Sequence, residues 1–356
     1  MTVSDVTERD LIARIRQRLA PPPEWVVIGI GDDAAVVEPA RNRLEVLTVD
    51  ALVEGVHFDR AFTPPSAIGH RALAVNLSDL AAMGATPRLA LLSLALPPTL
   101  ALADYDEMIA GFTDLAARFR MTVVGGNLTR IEGPLVLDVT VIGTVKRRQT
   151  LTRAGARPGD HLYVTGSIGA AAAGLQMLRA RKLSTTEDTK DTEEEFRSVQ
   201  NPSSVSPVSS VVESTRCIRR FLYPEPRLRM GTLVGRNRAA TACMDLSDGL
   251  ADAVTQMCEA SGVGATIEAG ALPIALGARQ WFDERRLDPV LESISGGDDY
   301  ELLLAARPRL RRRLTAAERH GDAPLTHIGT CTADRAILLR RDGADQPMPP
   351  GYTHFR

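Results

Sequence analysis

The chain has 356 residues, of which 44% are apolar and 24% charged. That length exceeds one compact core and suits two domains of ordinary size. A formal net charge of −2 excludes a whole-surface attraction to nucleic acid or anionic membrane, so a polyanionic ligand would need a local device.

Cys217, Cys243, Cys258 and Cys331 form no CxxC and no zinc-like spacing. They fit buried or neutral thiols in a reducing cytoplasm. The stretch "MTVSDVTERDLIARIRQRLA" reads as an amphipathic helix without the apolar core of a signal peptide. The most apolar stretch, "LALLSLALPP", is too short to span a bilayer. The expectation is a soluble cytoplasmic protein that binds neither nucleic acid nor membrane.

In chain order, "EWVVIGIGDDAAVV" is predicted as strand–turn–strand. "RLEVLTVDALVEGVHF" is a strand ending near Thr48–Asp50. The next segment predicts a helix over 66–83, with Ser66 as N-cap, a stripe of Leu73, Leu77 and Leu80, and Gly84 with Pro87 as its stop. "RLALLSLALP" is a buried strand, residues 102–120 a second helix, and "MTVVGGNLTR" and "LVLDVTVIGTV" two further strands. This mixture predicts an α/β (α+β) domain over 1–150, followed by a second α/β domain over 151–356.

The second unit opens with the strand "HLYVTG" and a Gly/Ser turn into an alanine-rich helix. The turn, "GSIGAAAAG", weakly resembles a Rossmann glycine loop, but a tight turn before a helix N-terminus explains it better. Residues 184–215 are rich in Ser, Thr, Glu and Pro. Such composition does not offset its ordering entropy, so a disordered surface insert is expected, with deletion of 186–213 leaving activity largely unchanged. After "MDLSDGL" a helix carries Leu250, Ala253, Val254 and Met257 on one face, with Gly262 as its stop. "GATIEAGALPI", "SISGGDDYELLLAA", "THIGTCT" and "AILLRRDG" supply the late strands.

Acids recur at the ends of these strands: Asp32 and Asp33, Asp50, Asp245 and Asp248, Asp298 and Asp299. Each has an ordinary structural reading. Gly-Asp-Asp is turn chemistry, and Asp245-x-x-Asp248 before an apolar helix fits a relaxed capping box. Asp79 is different. It shares a helix face with Asn76 in the middle of an apolar helix, where no cap explains it and no Lys or Arg lies within a turn. A half-buried carboxylate without a partner is costly, and a metal ion would relieve it. Carboxylates, the hydroxyls of Thr48 and Ser247, and the Asn127 amide are hard oxygen donors suited to Mg²⁺ or Mn²⁺. Zinc is disfavoured, because the six histidines show no HxH or HExxH. Several hard cations in one site usually serve phosphate chemistry. No P-loop or protein-kinase motif is present, which leaves Gly125, Gly126 and Arg153 as candidate phosphate contacts.

Seven motifs then occur in order: "GIGDDAAV", "TVDALVEGVHF", "GHRALAVNLSDLAAMGATP", "VVGGN", "LTRAGARPGD", "DLSDGL" and "GGDDYEL". Together they resemble the thiamine-monophosphate kinases. These belong to the superfamily of aminoimidazole ribonucleotide synthetase, selenophosphate synthetase and the hydrogenase carbamoyl-dehydratase maturation protein. The resemblance spans nearly the whole chain outside the insert. It implies two α/β domains, with N-terminal sheets pairing in a homodimer. It also implies ATP-dependent phosphorylation of thiamine monophosphate to thiamine diphosphate by direct transfer, assisted by several Mg²⁺, with no protein nucleophile.

Motif by motif, the resemblance makes Asp33, Thr48, Asp50, Asp79, Asp245 and Asp248 magnesium ligands, with Asn127 ligating through its amide oxygen. Tyr105, Gly126, Asn127, Arg153 and Ser247 become nucleotide contacts. His57, Asp298 and Tyr352 become substrate contacts, the last by stacking. Two departures stand out: Asn127 where the family often has Asp, and Val49 where a hydroxyl is common. The alternatives are a sister enzyme of the superfamily, such as an aminoimidazole ribonucleotide synthetase, and a non-catalytic nucleotide- or cation-binding protein. Against sister enzymes stand the absence of a reactive Cys in an N-terminal Gly-rich stretch and the ending "HFR" instead of a C-terminal Cys.

Overall fold

A computed structural model describes residues 1–184 and 210–351. The N-terminal part runs α1 (Glu8–Arg18), β1 (Val26–Ile28), β2 (Val36–Val37), β3 (Leu44–Val53), α2 (Pro65–Ala82), β4 (Thr86–Leu96), α3 (Leu102–Arg118), β5 (Thr122–Arg130) and β6 (Val136–Val145). β1 and β2 form a small antiparallel pair, and a four-stranded sheet takes the order β3-β6-β4-β5. The run "RLALLSLAL" is apolar throughout because β4 is central, antiparallel to β6 and parallel to β5. The outer strand β3 instead alternates. Its Leu44, Val46, Thr48, Asp50 and Leu52 are shielded, whereas Leu47 is 64% and Val49 60% exposed.

One face of this sheet is covered by α2, whose Leu73, Leu77 and Leu80 are fully buried, as the stripe predicts. Each such side chain contributes about 1.5–3 kcal/mol of burial. α2 lies directly on α3: a Cβ at Gly69 would fall 1.8 Å from the Met108 carbonyl oxygen, and one at Gly111 would fall 1.9 Å from that of Ser66. Only glycine permits this approach. Ser66 is not the N-cap. Pro64 takes that position with Pro65 in the first turn, and the Ser66 hydroxyl hydrogen-bonds the Tyr223 hydroxyl at 3.0 Å. A proline at the first helical position sacrifices an N–H that would be unpaired anyway.

The C-terminal part runs β7 (His161–Thr165), α4 (Ala170–Ser184), α5 (Ser210–Leu222), α6 (Leu228–Asn237), β8 (Ala242–Asp245), α7 (Leu250–Ser261), β9 (Gly264–Glu268), α8 (Leu276–Glu284), α9 (Pro289–Ser295), β10 (Leu302–Ala306), α10 (Arg311–His320), β11 (Leu325–Thr332), β12 (Ile337–Arg341) and β13 (Ala344–Pro347). The strands form one sheet of order β13-β12-β9-β11-β7-β10-β8. α4, α5 and α8 share a cluster that includes Cys217, Ile218, Phe221 and Phe282. A single core joins the two parts, with Leu77 of α2, Met230 and Val234 of α6 and Leu304 of β10 in one cluster.

The expected insert is narrower than its composition suggests. Ser184 closes α4, and residues 210–215 form the start of α5, where Glu213 is already buried. Residues 185–209 lie outside the described residues. All four cysteines are free and buried. Among the described residues, no helix is long and apolar enough to cross a membrane.

Candidate active site

A cleft of about 1090 Å³ opens between α2, the loop after β3, α4 and the turns that follow β8 and α9. Seven of the residues singled out from sequence line it: Asp50, His57, Asp79, Asp245, Ser247, Asp248 and Asp298. Their positions follow from local structure. Asp50 lies on the inward row of β3, three residues from its end. Asp245 ends β8, with Ser247 and Asp248 in the turn before α7. His57 sits in the tight loop after β3, where its Nδ1 accepts the Val53 N–H at 3.0 Å.

Asp79 is in the last turn of α2, not at mid-helix as expected. This placement is less favourable still, because the negative end of the helix dipole repels a carboxylate. The Thr48 hydroxyl donates to Asp79, and the Ser78 hydroxyl donates to Asp245 at 2.8 Å. Neither Asp245 nor Asp248 caps α7. Gly249 is the N-cap and no side chain accepts there, so the capping-box reading is replaced by a cleft-facing turn.

Asp50, Asp79 and Asp245 crowd one another. Burial, followed by the charges of Asp79 and Asp245, pushes the Asp50 carboxyl up to about 7. Burial also raises Asp245, with Asp79 adding to it, and burial raises Asp79 against the opposing pull of Thr48 and Arg153. Arg153 is exposed and outside the cleft lining, its Nη1 donating to Gln256 Oε1 at 2.6 Å. Among the described residues, no Lys or Arg forms an ion pair with any of the three acids. The described residues also hold no set of three His, Cys, Asp or Glu side chains already closed around a point. The cluster is therefore a group of neighbouring hard oxygens short of positive charge, and a divalent cation such as Mg²⁺ fits that donor set.

The other expected residues fall elsewhere. Tyr105 is fully buried in α3, and its hydroxyl donates to the Leu11 carbonyl at 3.1 Å, so it is a core residue of this chain and not part of the cleft. Asn127 pairs with Ser93, which pairs with Asp138, opposite Ala51. That row lies on the outer face of the sheet, away from Asp50. Gly126 is exposed on β5, and a Cβ there would meet the Leu92 carbonyl oxygen at 1.8 Å, so strand proximity alone requires glycine. Asp33 is exposed in the turn between β1 and β2, outside the cleft lining. Val49 points to the outer face, so its departure from a hydroxyl does not alter the inner acid row. Asn76 is fully buried and outside the cleft lining, its Nδ2 donating to the Ala72 carbonyl and its Oδ1 without a partner among the described residues. Asn76 shares a face of α2 with Asp79, as expected, but only Asp79 lines the cleft. Tyr352 lies outside the described residues.

The glycine loop before α4 also has an occupant. Asp299 Oδ2 accepts the Gly169 N–H at 2.7 Å and its Oδ1 accepts that of Ala171 at 3.2 Å. A carboxylate of the protein thus fills the helix N-terminus that a dinucleotide loop would offer to phosphate.

Sequence reasoning missed Arg71. It lies two turns before Asp79, and Arg71, Val75 and Asp79 form an i, i+4, i+8 row that lines the cleft. That spacing is visible in the sequence.

The chain matches two family models, "AIR synthase related protein, N-terminal domain" over residues 31–145 and "AIR synthase related protein, C-terminal domain" over 157–340. It is 34% identical to the thiamine-monophosphate kinase of Bacillus subtilis, over 98% of this chain and 99% of the relative. The crystal structure of thiamine-monophosphate kinase from Stenotrophomonas maltophilia superposes with a TM-score of 0.77 at 35% identity, covering 95% of this chain and 97% of the other. A further solved structure, described as AaThiL complexed with AMPPCP and TMP, superposes with a TM-score of 0.72 at 28% identity, covering 100% and 99%.

Proposed function

This chain belongs to the thiamine-monophosphate kinases of the AIR synthase related family, and from that premise we propose that it phosphorylates thiamine monophosphate directly with ATP at the acid-lined cleft. The observation that carries this reading is the convergence of Asp50, Asp79 and Asp245, contributed by both parts of the chain, on one cleft, with no Lys or Arg among the described residues ion-paired to them. A terminal phosphate oxygen of the substrate attacks the γ-phosphorus of ATP. The new P–O bond forms as the bond to the β–γ bridging oxygen breaks, and ADP leaves with that electron pair. The attacking oxygen is already ionised at neutral pH, so no side chain needs to take a proton. The residues therefore have two tasks, positioning and charge balance.

Mg²⁺ ions held by Asp50, Asp79, Asp245 and Asp248, with Thr48, would neutralise the phosphate oxygens in flight. Thr48 orients the Asp79 carboxylate through its hydroxyl, and Ser78 does the same for Asp245. The charge of Arg153 favours the ionised forms of Asp79 and Asp245, and Ser247 adds a hydroxyl beside Asp248. His57 and Asp298 line the same cleft and are the substrate contacts of this proposal.

The exposed apolar Leu47 and Val49 on the outer sheet face support a homodimer through residues 1–150. Asn127 lies on that same face, so a nucleotide role for it would draw on the second copy. Residues 151–356 supply Asp245, Ser247, Asp248 and Asp298. Four buried free thiols suit a reducing cytoplasm.

The test is product formation. Incubation with ATP, Mg²⁺ and thiamine monophosphate should yield thiamine diphosphate and ADP in equal amounts, whereas aminoimidazole precursors should yield none. ADP release with the precursors but not with thiamine monophosphate would favour the sister enzyme.

A further inference from the structure

We propose that Arg71 and Tyr300 are positioning residues that hold the Asp298 carboxylate in the cleft, with one oxygen left free for the ring end of the substrate. This rests on the kinase reading above and adds a specificity element to it. Three independent features lead to it.

The first is backbone strain. Asp298 and Tyr300 are non-glycine residues with φ of 70° and 49°. Left-handed conformations of this kind persist where the surroundings over-determine them, and they cluster at functional sites. Here the Asp298 N–H donates to the Ser247 carbonyl at 2.7 Å and that of Tyr300 to Leu246 at 3.1 Å. Asp299 between them is pinned by its bond to Gly169. The turn is thus tied to the same 245–248 segment that supplies the acid cluster.

The second is how the carboxylate is held. Arg71 Nη2 meets Asp298 Oδ1 at 2.5 Å, and the Tyr300 hydroxyl donates to that same oxygen at 3.0 Å. Among the described residues, Oδ2 takes no hydrogen bond, and the Asp298 side chain remains 29% exposed at the cleft wall. One oxygen anchors and the other is presented. A carboxylate oxygen so placed suits a cationic ring or an amino group.

The third is Arg71 itself. It is 2% exposed, and its Nη1 donates to the Phe221 carbonyl at 2.7 Å. The guanidinium sits 4.7 Å from the Phe221 ring centre and 5.9 Å from that of Tyr300. Among the described residues, its Nε has no partner. A buried N–H left unpaired is costly, so this arginine is not placed for stability alone. Its position on α2 also sets a scale. Arg71 and Asp79 are eight residues apart, about 12 Å along the helix. The same rigid element thus bears the acid cluster at one end and the anchor of Asp298 at the other. A substrate lying along α2 would place its phosphate at Asp79 and its ring at Asp298.

The experiment compares Tyr300→Phe, Arg71→Lys and Arg71→Met with wild type by steady-state kinetics, varying thiamine monophosphate and ATP separately, with melting temperatures measured in parallel. Tyr300→Phe should raise KM for thiamine monophosphate about 5-fold, with kcat and KM for ATP within about 2-fold, since one hydroxyl donor to the Asp298 carboxylate is lost while Arg71 still holds it. Arg71→Met should raise the same KM by 30-fold or more, and Arg71→Lys should recover part of it, because a lysine retains the charge but not the planar fork. If Arg71→Met does not fold, the Tyr300→Phe result decides. An unchanged KM for thiamine monophosphate in folded variants, or equal changes for both substrates, would overturn the positioning role. A wild-type protein that makes no thiamine diphosphate would instead overturn the kinase reading.

Discussion

Replacing Asp79 with Asn removes one charge from the acid cluster and separates its cost to the fold from its use in catalysis. In the metal-free protein, burial and the charges of Asp79 and Asp245 raise the Asp50 carboxyl from 3.8 to about 7. A shift of that size corresponds to about 4 kcal/mol between the protonation states. Burial is the larger cause, so removing Asp79 should return about 1–2 kcal/mol. The folded value lies above the unfolded one, so Asp50 contributes stability in acid that is lost as pH rises through about 7. The metal-free variant should therefore melt a few degrees above wild type at pH 8, with the gap closing toward pH 5. Turnover should move the other way. With Mg²⁺, ATP and thiamine monophosphate, it should fall about 100-fold or more, the scale of losing one preorganised electrostatic contact to developing charge. The assays are calorimetry in chelator at both pH values and chromatography of thiamine diphosphate across a Mg²⁺ titration. Wild-type turnover with unchanged Mg²⁺ dependence would refute the metal role. A metal-free variant that melts lower than wild type at pH 8 would refute the crowding argument.

Other expectations test the frame around the cleft. Glu301 is completely buried and holds Arg220 at 2.7 Å, Arg227 at 2.5 Å and the Thr165 hydroxyl at 2.6 Å, so Glu301→Gln should lower unfolding free energy by about 3–5 kcal/mol in a denaturant titration. A loss below about 1 kcal/mol would mean that α5 and α6 are not tied to the sheet through this carboxylate. Gly126→Ala should destabilise the β4/β5 pair by more than about 2 kcal/mol, because backbone must move to admit the methyl group. A variant as stable as wild type but weak for ATP would instead assign that glycine to the nucleotide. His70 is held below its ordinary value chiefly by burial, so the neutral ring favours the fold and stability should drop as pH falls through 6.5. That part of the acid sensitivity should vanish in His70→Gln, read as melting temperature between pH 7 and 5.

The legible parts of the fold and site were those fixed by local periodicity. The alternation of "LEVLTVDALV" set both the strand and the inward row of Thr48 and Asp50. The Leu73/Leu77/Leu80 stripe placed α2 to within one residue at each end. Tyr105 belongs with Met108, Ile109 and Phe112 at i, i+3, i+4 and i+7, and that pattern alone assigns it to the core. What local pattern does not carry is parity across a sheet. Asn127 faces outward because of its register with Ser93 and Asp138, downstream of an irregularity at Ala90/Leu91. The start of α5 was hidden for a related reason. Its first six residues, "SVVEST", carry only two apolar side chains, and the helix becomes evident only where Cys217, Ile218, Phe221 and Leu222 meet α4. Asp245 and Asp248 are cleft-facing because Gly249 already opens the helix, a choice visible only from the backbone.

The most direct test of the central claim is transfer of labelled phosphate. With γ-labelled ATP, Mg²⁺ and thiamine monophosphate, the label should appear at the terminal phosphate of thiamine diphosphate, with none retained on the protein. Label trapped on the protein would contradict direct transfer. Absence of labelled thiamine diphosphate from folded, Mg²⁺-supplied protein would contradict the proposed activity itself.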